Sequence, residues 1–135
     1  MKPAFGDTFY WIALTLPSDS SHEVVSVFRG DIVTTDEVLT EYLSFFSRSS
    51  PYLRSVAVTN VEAIMNDPGV RVLPQSRESF LAGLDLFRHR ADKGYSLTDC
   101  ISMQVMRQEG LSVALTNDRH FEQEGFRALF RESVS

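Results

Sequence analysis

The sequence predicts an α/β fold, a three-layer α/β/α sandwich around a central parallel sheet, on three observations. Short apolar, β-rich runs alternate with longer runs of helical period along the 135 residues. Turn signals punctuate them, most clearly Asn66-Asp67-Pro68-Gly69 and Gly110. Acidic residues stand where strands stop and helices start, which in an open parallel sheet is the carboxyl rim where ligands bind.

Taken in order, a short strand near Ala4-Phe5 leads into a helix carrying Phe9, Ile12, Ala13 and Leu16, stopped at Pro17. A turn at 18–21 opens a second helix through Val24, Val25, Val27 and Phe28, ended at Gly30. Ile32-Val33 reads as a brief strand, and Thr34-x-x-Glu37 as a capping box opening a helix with Val38, Leu39, Tyr42, Leu43, Phe45 and Phe46. Pro51 starts the next helix, through Leu53, Val56, Val61 and Ile64. Val70–Leu73 is a strand ended by Pro74, after which Ser76 caps a helix with Phe80, Leu81, Leu84 and Phe87 on one stripe. A helix over 96–109, a strand over 112–116, a turn of helix over 119–123 and a last strand near Arg127–Leu129 complete the pattern.

The chain is long enough for a real core and reads as a single domain, 1–135. With 43% hydrophobic and 23% charged residues it is of globular rather than disordered composition. No apolar stretch reaches the length of about 18 residues that a membrane span requires, and no basic-then-apolar leader is visible. The single cysteine, Cys100, falls on an apolar helical face and is expected in the core; having no internal partner, it suits a reducing cytoplasm. The net charge of −5 argues against coating nucleic acid by charge alone. Two of the 13 basic residues are lysines, Lys2 and Lys93, and the rest arginines, the residue suited to bidentate phosphate contacts, although base composition produces the same bias.

Four acids point to the rim. Asp7 directly follows the first strand, Asp99 lies in the first turn of the 96–109 helix, and Asp118 follows the 112–116 strand. Each has a plain structural alternative: Asp7 as a helix N-cap, Asp99 as the fourth residue of a Ser96-x-x-Asp99 capping box, Asp118 as the cap of the short helix after it. Glu41 differs. It falls among Val38, Tyr42 and Phe45 on an apolar stripe, where a carboxylate is costly unless paired or bound, and helical side chains lean back toward the N-terminus and thus the rim. The alternative is a core arginine partner. Carboxylates converging on one rim repel unless protonated or neutralised by a cation. An all-oxygen donor set selects a hard ion, Mg²⁺ or Mn²⁺, and such ions commonly serve phosphate chemistry. The scattered His22, His89 and His120 show no zinc-type spacing.

Asp7-Thr8 after the first strand, Thr34-Thr-Asp-Glu-Val-Leu-Thr-Glu41, Lys93-Gly-Tyr-Ser-Leu-Thr-Asp99, and Thr116-Asn-Asp118-Arg-His-Phe121 followed by Gly125-Phe126 together resemble the PIN-domain family. Chain length and element order resemble its VapC-type toxins, over about Ala4 to Leu129. The resemblance implies a PIN-like nuclease domain: Asp7, Glu41, Asp99 and Asp118 as catalytic and metal-binding acids, Mg²⁺ or Mn²⁺ as cofactor, and hydrolysis of RNA phosphodiesters. By it Thr8 and Thr116 orient the acids and Asn117 is a polar helper, while the partners are an RNA substrate, a cognate antitoxin and a second copy in a homodimer. The aromatic segment 42–53 resembles the region where such toxins dimerise and receive an antitoxin, or is ordinary core. The first strand, Pro3-Ala-Phe-Gly6, departs from the family in lacking an aliphatic run.

Arg88, Arg90 and Lys93, with His89, cluster at a helix end before Asp99, and Arg119 with His120 follows Asp118. They read either as phosphate-binding groups or, for the first set, as a solvated helix C-terminus favoured by the dipole. A non-catalytic PIN-like RNA- or protein-binding domain is the rival reading, and the presence of all four acids weighs against it. A phosphoacceptor receiver domain requires a strand-end lysine, and Lys2 and Lys93 do not occupy such a position.

Overall fold

The computed structural model describes residues 2–132, so Met1 and 133–135 of the expected domain lie outside the described residues. The elements run β1 (Ala4–Gly6), α1 (Thr8–Thr15), α2 (His22–Ser26), β2 (Ile32–Thr35), α3 (Asp36–Phe45), α4 (Pro51–Asn66), β3 (Val70–Leu73), α5 (Arg77–His89), α6 (Leu97–Glu109), β4 (Val113–Leu115), α7 (Arg119–Gln123), β5 (Arg127–Ala128) and α8 (Leu129–Glu132). All five strands are parallel, in the order β3-β2-β1-β4-β5, the centre of the expected α/β/α sandwich.

That order positions the site. The chain builds outward from β1 through β2 to β3, then returns to lay β4 on the other side of β1. Strand order therefore reverses between β1 and β4, and a crevice opens at their carboxyl ends because the connections leave in opposite directions. Phe5 of β1 stands opposite both Val33 of β2 and Ala114 of β4, and all three are buried.

The missing aliphatic run of β1 has a steric reason. A Cβ on Gly6 would lie 2.9 Å from Ile32 Cγ2 and 3.0 Å from Trp11 Cζ2, so only glycine lets the α1 indole close over the strand end. Tyr42, Phe46, Met103, Met106 and Phe121 supply most of the bulk that the helices press against the sheet. Cys100 is fully buried, as expected.

Two local expectations are corrected. The cap of α3 is Thr35, whose hydroxyl accepts from the Val38 amide at 3.1 Å, and not Thr34. Thr34 is still paired with Val72 in the sheet, and its hydroxyl donates to the Gly6 carbonyl at 2.8 Å, so the chain turns one residue later. The final strand ends at Ala128, since Leu129 already opens α8, where the Phe130 amide donates to the Thr116 carbonyl. The 42–53 aromatics divide: Tyr42 and Phe46 are core, whereas Phe45 and Tyr52 are exposed.

Helices α5 and α6 pack closely because Gly83 presents no side chain to Ile101. A Cβ there would collide with Ile101 Cγ1 and stand 3.1 Å from that residue's backbone Cα and N. Alanine gains about 1 kcal/mol in helix propensity over glycine, but overpacking against backbone costs about 1–3 kcal/mol. Gly83→Ala is therefore expected to lower the stability measured by urea denaturation by up to about 2 kcal/mol. A stabilised variant would show that the two helices can separate freely.

Candidate active site

At the β1/β4 switch point lies a cavity of about 570 Å³ lined by Asp7, Thr8, Glu41, Ser96, Asp99, Thr116, Asn117, Asp118, Arg119 and Arg131, together with Phe9. The four acids expected at the rim are thus brought together, although they come from four elements.

Asp7 occupies the N-cap position of α1 but makes no side-chain cap. Its Oδ2 instead accepts from the Thr116 hydroxyl at 2.8 Å, and that hydroxyl oxygen accepts from the Asp118 amide at 3.1 Å. One buried threonine at the end of β4 therefore fixes two of the acids. Asp118 also caps α7, its Oδ1 accepting from the His120 amide at 2.9 Å. Asp99 and Ser96 form a reciprocal capping box at the start of α6. For Asp99 and Asp118, capping and facing the cavity are not alternatives, since one carboxylate oxygen serves each helix end while the side chain lines the cavity.

Among the described residues Glu41 has no arginine partner. Its Oε1 accepts a short hydrogen bond from the Thr8 hydroxyl, so the core ion pair considered for it does not form. Asn117 lies at the exposed edge of the cavity.

No lysine or arginine pairs with any of the four acids among the described residues, and Asp7 and Asp99 are raised by burial and by neighbouring carboxylates. Burial, opposed by the Thr116 hydrogen bond and reinforced by the charges of Asp99 and Glu41, raises Asp7 to about 7. Burial and then the charge of Asp118 raise Asp99 as well. The imidazole of His120 stands beside the two outer acids: Asp99, Asp118 and His120 offer ligand atoms all within 4.8 Å of one another.

The basic residues separate. Arg119 lines the cavity. Arg88, Arg90 and Lys93 do not: Arg88 lies 3.7 Å from Asp85, and Lys93 lies 3.8 Å from Asp92. Arg90 is engaged bidentately by Glu124 at 2.8 and 3.0 Å. Arg131, which the sequence did not single out, lines the cavity while its Nε holds Glu122 at 2.7 Å.

Glu124 itself is a finding the sequence did not announce. Its side chain is only 4% exposed and accepts from Arg90, Arg107 and the Tyr95 hydroxyl. These bonds, Arg90 foremost, hold its carboxyl down at about 2, while burial and the same contact raise Tyr95 to about 12. The clamp ties the end of α7 to α5 and α6, and Tyr95 then rests against the His120 ring at 5.1 Å.

The PIN-domain family model matches residues 4–126, and the chain belongs to that family. A crystal structure of VapC20 from Mycobacterium tuberculosis, a sarcin–ricin loop cleaving toxin, has the same fold, with a TM-score of 0.82 over 93% of this chain and 98% of that one at 24% identity. No curated protein sequence matches the chain significantly.

The raised Asp7 carboxyl has a signed consequence for stability. Its ordinary value is 3.8 and its folded value about 7, so between these pH values the folded state binds the extra proton. Stability from this group is full below about pH 4 and is lost as pH rises through 7. In EDTA, urea midpoints of the wild type are expected to carry a falling component from pH 4 to 7 that Asp7→Asn removes. Identical pH profiles for the two proteins would contradict the burial assigned to this carboxyl.

Proposed function

We propose that this chain is a metal-dependent endoribonuclease and the toxin of a toxin–antitoxin pair. One observation carries the reading: four carboxylates converge on the β1/β4 switch point, two of them held by threonine hydroxyls, with no arginine or lysine paired to them among the described residues. A fold does not keep such a cluster for its own stability, because each added charge raises the cost of the others.

The donor set fits a divalent ion, Mg²⁺ or Mn²⁺, held by Asp99 and Asp118 with Asp7 and Glu41 completing the negative field. Bound there, such an ion supplies Lewis acidity to a phosphoryl oxygen and lowers the pKa of water. Thr116 holds the Asp7 carboxylate and Thr8 holds Glu41, so the acids are set in place before a substrate arrives and reorganise little during reaction. Arg119 lines the cavity without an ion-pair partner among the described residues, which supports it as the inferred contact to a phosphate of the RNA chain. Arg90 is committed to Glu124, which leaves it out of this role.

Hydrolysis by water joins the water oxygen to phosphorus and breaks the bond to the 3′-oxygen, which takes the proton. The 2′-hydroxyl is not the nucleophile, so its recognition belongs to substrate choice in single-stranded loops. A cognate antitoxin and a second copy of the chain are the inferred protein partners, and Leu43, Phe45 and Val58 are apolar side chains left exposed on α3 and α4. The inferred place of action is the cytoplasm, where RNA is met; no described helix is long and apolar enough to cross a membrane.

Incubation with structured RNA and Mg²⁺ or Mn²⁺ is expected to give products with 5′-phosphate and 3′-hydroxyl ends, and Asp99→Asn, Asp118→Asn or EDTA to abolish them. Cyclic 2′,3′-phosphate ends, or cutting that survives all three, would sink the mechanism.

Glu41→Gln keeps the volume and removes a charge that raises both Asp7 and Asp99. Cleavage is expected to fall at least about tenfold while the Tm of the metal-free protein holds or rises. Unfolding of this variant would favour a structural role for Glu41. Millimolar Mn²⁺ should raise the wild-type Tm by mass action and leave Asp99→Asn unmoved.

A further inference from the structure

Beside Asp99 and Asp118 one ring nitrogen has no partner. Nδ1 of His120 is closed off from solvent and makes no hydrogen bond. It nonetheless lies 3.5 Å from Asp118 Oδ1 and 3.8 Å from Asp99 Oδ2. An orphaned buried polar atom is costly unless something absent from the chain itself satisfies it. A proton shared with either carboxylate would do so at hydrogen-bond distance, but both separations exceed that distance.

The separations suit a different occupant. Two adjacent ligands on a six-coordinate ion at about 2.1 Å stand about 3 Å apart, and opposite ligands about 4 Å. At 3.5 and 3.8 Å, Nδ1 and each carboxylate oxygen are close enough for one ion to bridge them. The ring is also held in place from behind. Tyr95 packs against it at 5.1 Å with the planes inclined by 54°, and the Tyr95 hydroxyl donates to the buried Glu124 at 3.1 Å. Asp118, through its bond to the His120 amide, fixes the backbone from which the ring projects.

We propose that His120 is a nitrogen ligand of the divalent ion held by Asp99 and Asp118, and that it biases the site toward Mn²⁺ and other transition ions over Mg²⁺. This rests on reading the cavity as a metal centre. Oxygen donors alone suit Mg²⁺ and Mn²⁺ alike, whereas an imidazole is a softer base that transition ions accept and Mg²⁺ takes poorly. The Tyr95–Glu124 contact then acts as the orienting shell, keeping the ring turned to the acids.

The alternative role for the same ring is a cationic counter-charge to Asp99 and Asp118, and the two make opposite predictions. Titration calorimetry with Mn²⁺ alone and Mg²⁺ alone should be run on the wild type, on His120→Ala and on His120→Phe, which keeps an aromatic ring against Tyr95 without a nitrogen. As a ligand, His120 should give a Mn²⁺ Kd that rises at least about tenfold in both variants and a Mg²⁺ Kd that moves much less. As a counter-charge, its removal would tighten both ions, and that result overturns the proposal. Pulsed electron paramagnetic resonance of the Mn²⁺-loaded wild type gives a readout independent of the variants' folding. Coupling to a histidine nitrogen should be present and should change on ¹⁵N-histidine labelling; its absence also overturns the proposal. If the wild type binds neither ion, the metal-centre reading falls together with the role of His120, whereas an unchanged Mn²⁺-to-Mg²⁺ ratio removes His120 alone.

Discussion

The carboxylate of Asp7 is buried at the carboxyl end of the central strand, and the surrounding structure is arranged around the cost of placing a negative charge there. Two unit charges 4 Å apart interact by about 4 kcal/mol at the effective dielectric near a protein surface. Three further acids add to that field. The fold answers with neutral donors: the Thr116 hydroxyl on Asp7, the Thr8 hydroxyl on Glu41, the Ser96 amide on Asp99 and the His120 amide on Asp118. These groups fix direction without cancelling charge. The strand ends, the helix starts and the one-residue delay before α3 all serve that arrangement, because Thr34 must remain in the sheet to bind the Gly6 carbonyl beside Asp7.

Glu124 shows what the same chain does with an acid it means to neutralise. Two arginines and a tyrosine surround it, and its pKa is pushed down where that of Asp7 is pushed up. The contrast separates the clamped carboxylate from those at the rim by their partners: guanidinium for one, hydroxyl and amide for the others. It also joins the two regions, since Tyr95 contacts Glu124 by its hydroxyl and His120 by its ring.

Most of the architecture was legible in the sequence because it rests on local signals. Strand–helix alternation, the Ser76 and Ser96 caps and the Gly110 stop are each readable within a few residues. Asp99 and Asp118 were legible because topology alone brings helix starts and strand ends to one rim. Glu41 was legible because a charge on an apolar stripe requires a reason. The features that escaped are those set by partners distant in sequence. Arg90 looks like a free helix-end cation until Glu124, thirty-four residues on, is folded against it. Glu124 looks like a surface acid of a short helix. Thr34 and Thr35 are both paired with β3 and differ in what their hydroxyls meet, the Gly6 carbonyl for one and the Val38 amide for the other. The orphan nitrogen of His120 depends on ring orientation, which no periodicity records. Arg88 and Lys93 showed the limit from the other side: a basic cluster in sequence became exposed neighbours of Asp85 and Asp92 outside the cavity.

The hydroxyl-held acid cluster also bears on how this gene can change. Aspartate and asparagine codons differ by one base, as do glutamate and glutamine codons. A single transition at Asp7, Asp99 or Asp118 therefore removes a charge from a region where charge opposes folding, and the hydroxyls and amides that held the carboxylate can still hold an amide oxygen. Such an allele would be inherited as a folded copy and, under the function proposed above, an inactive one. Nothing in the packing of this domain guards its acids; they persist in a lineage only as long as selection acts on what they do.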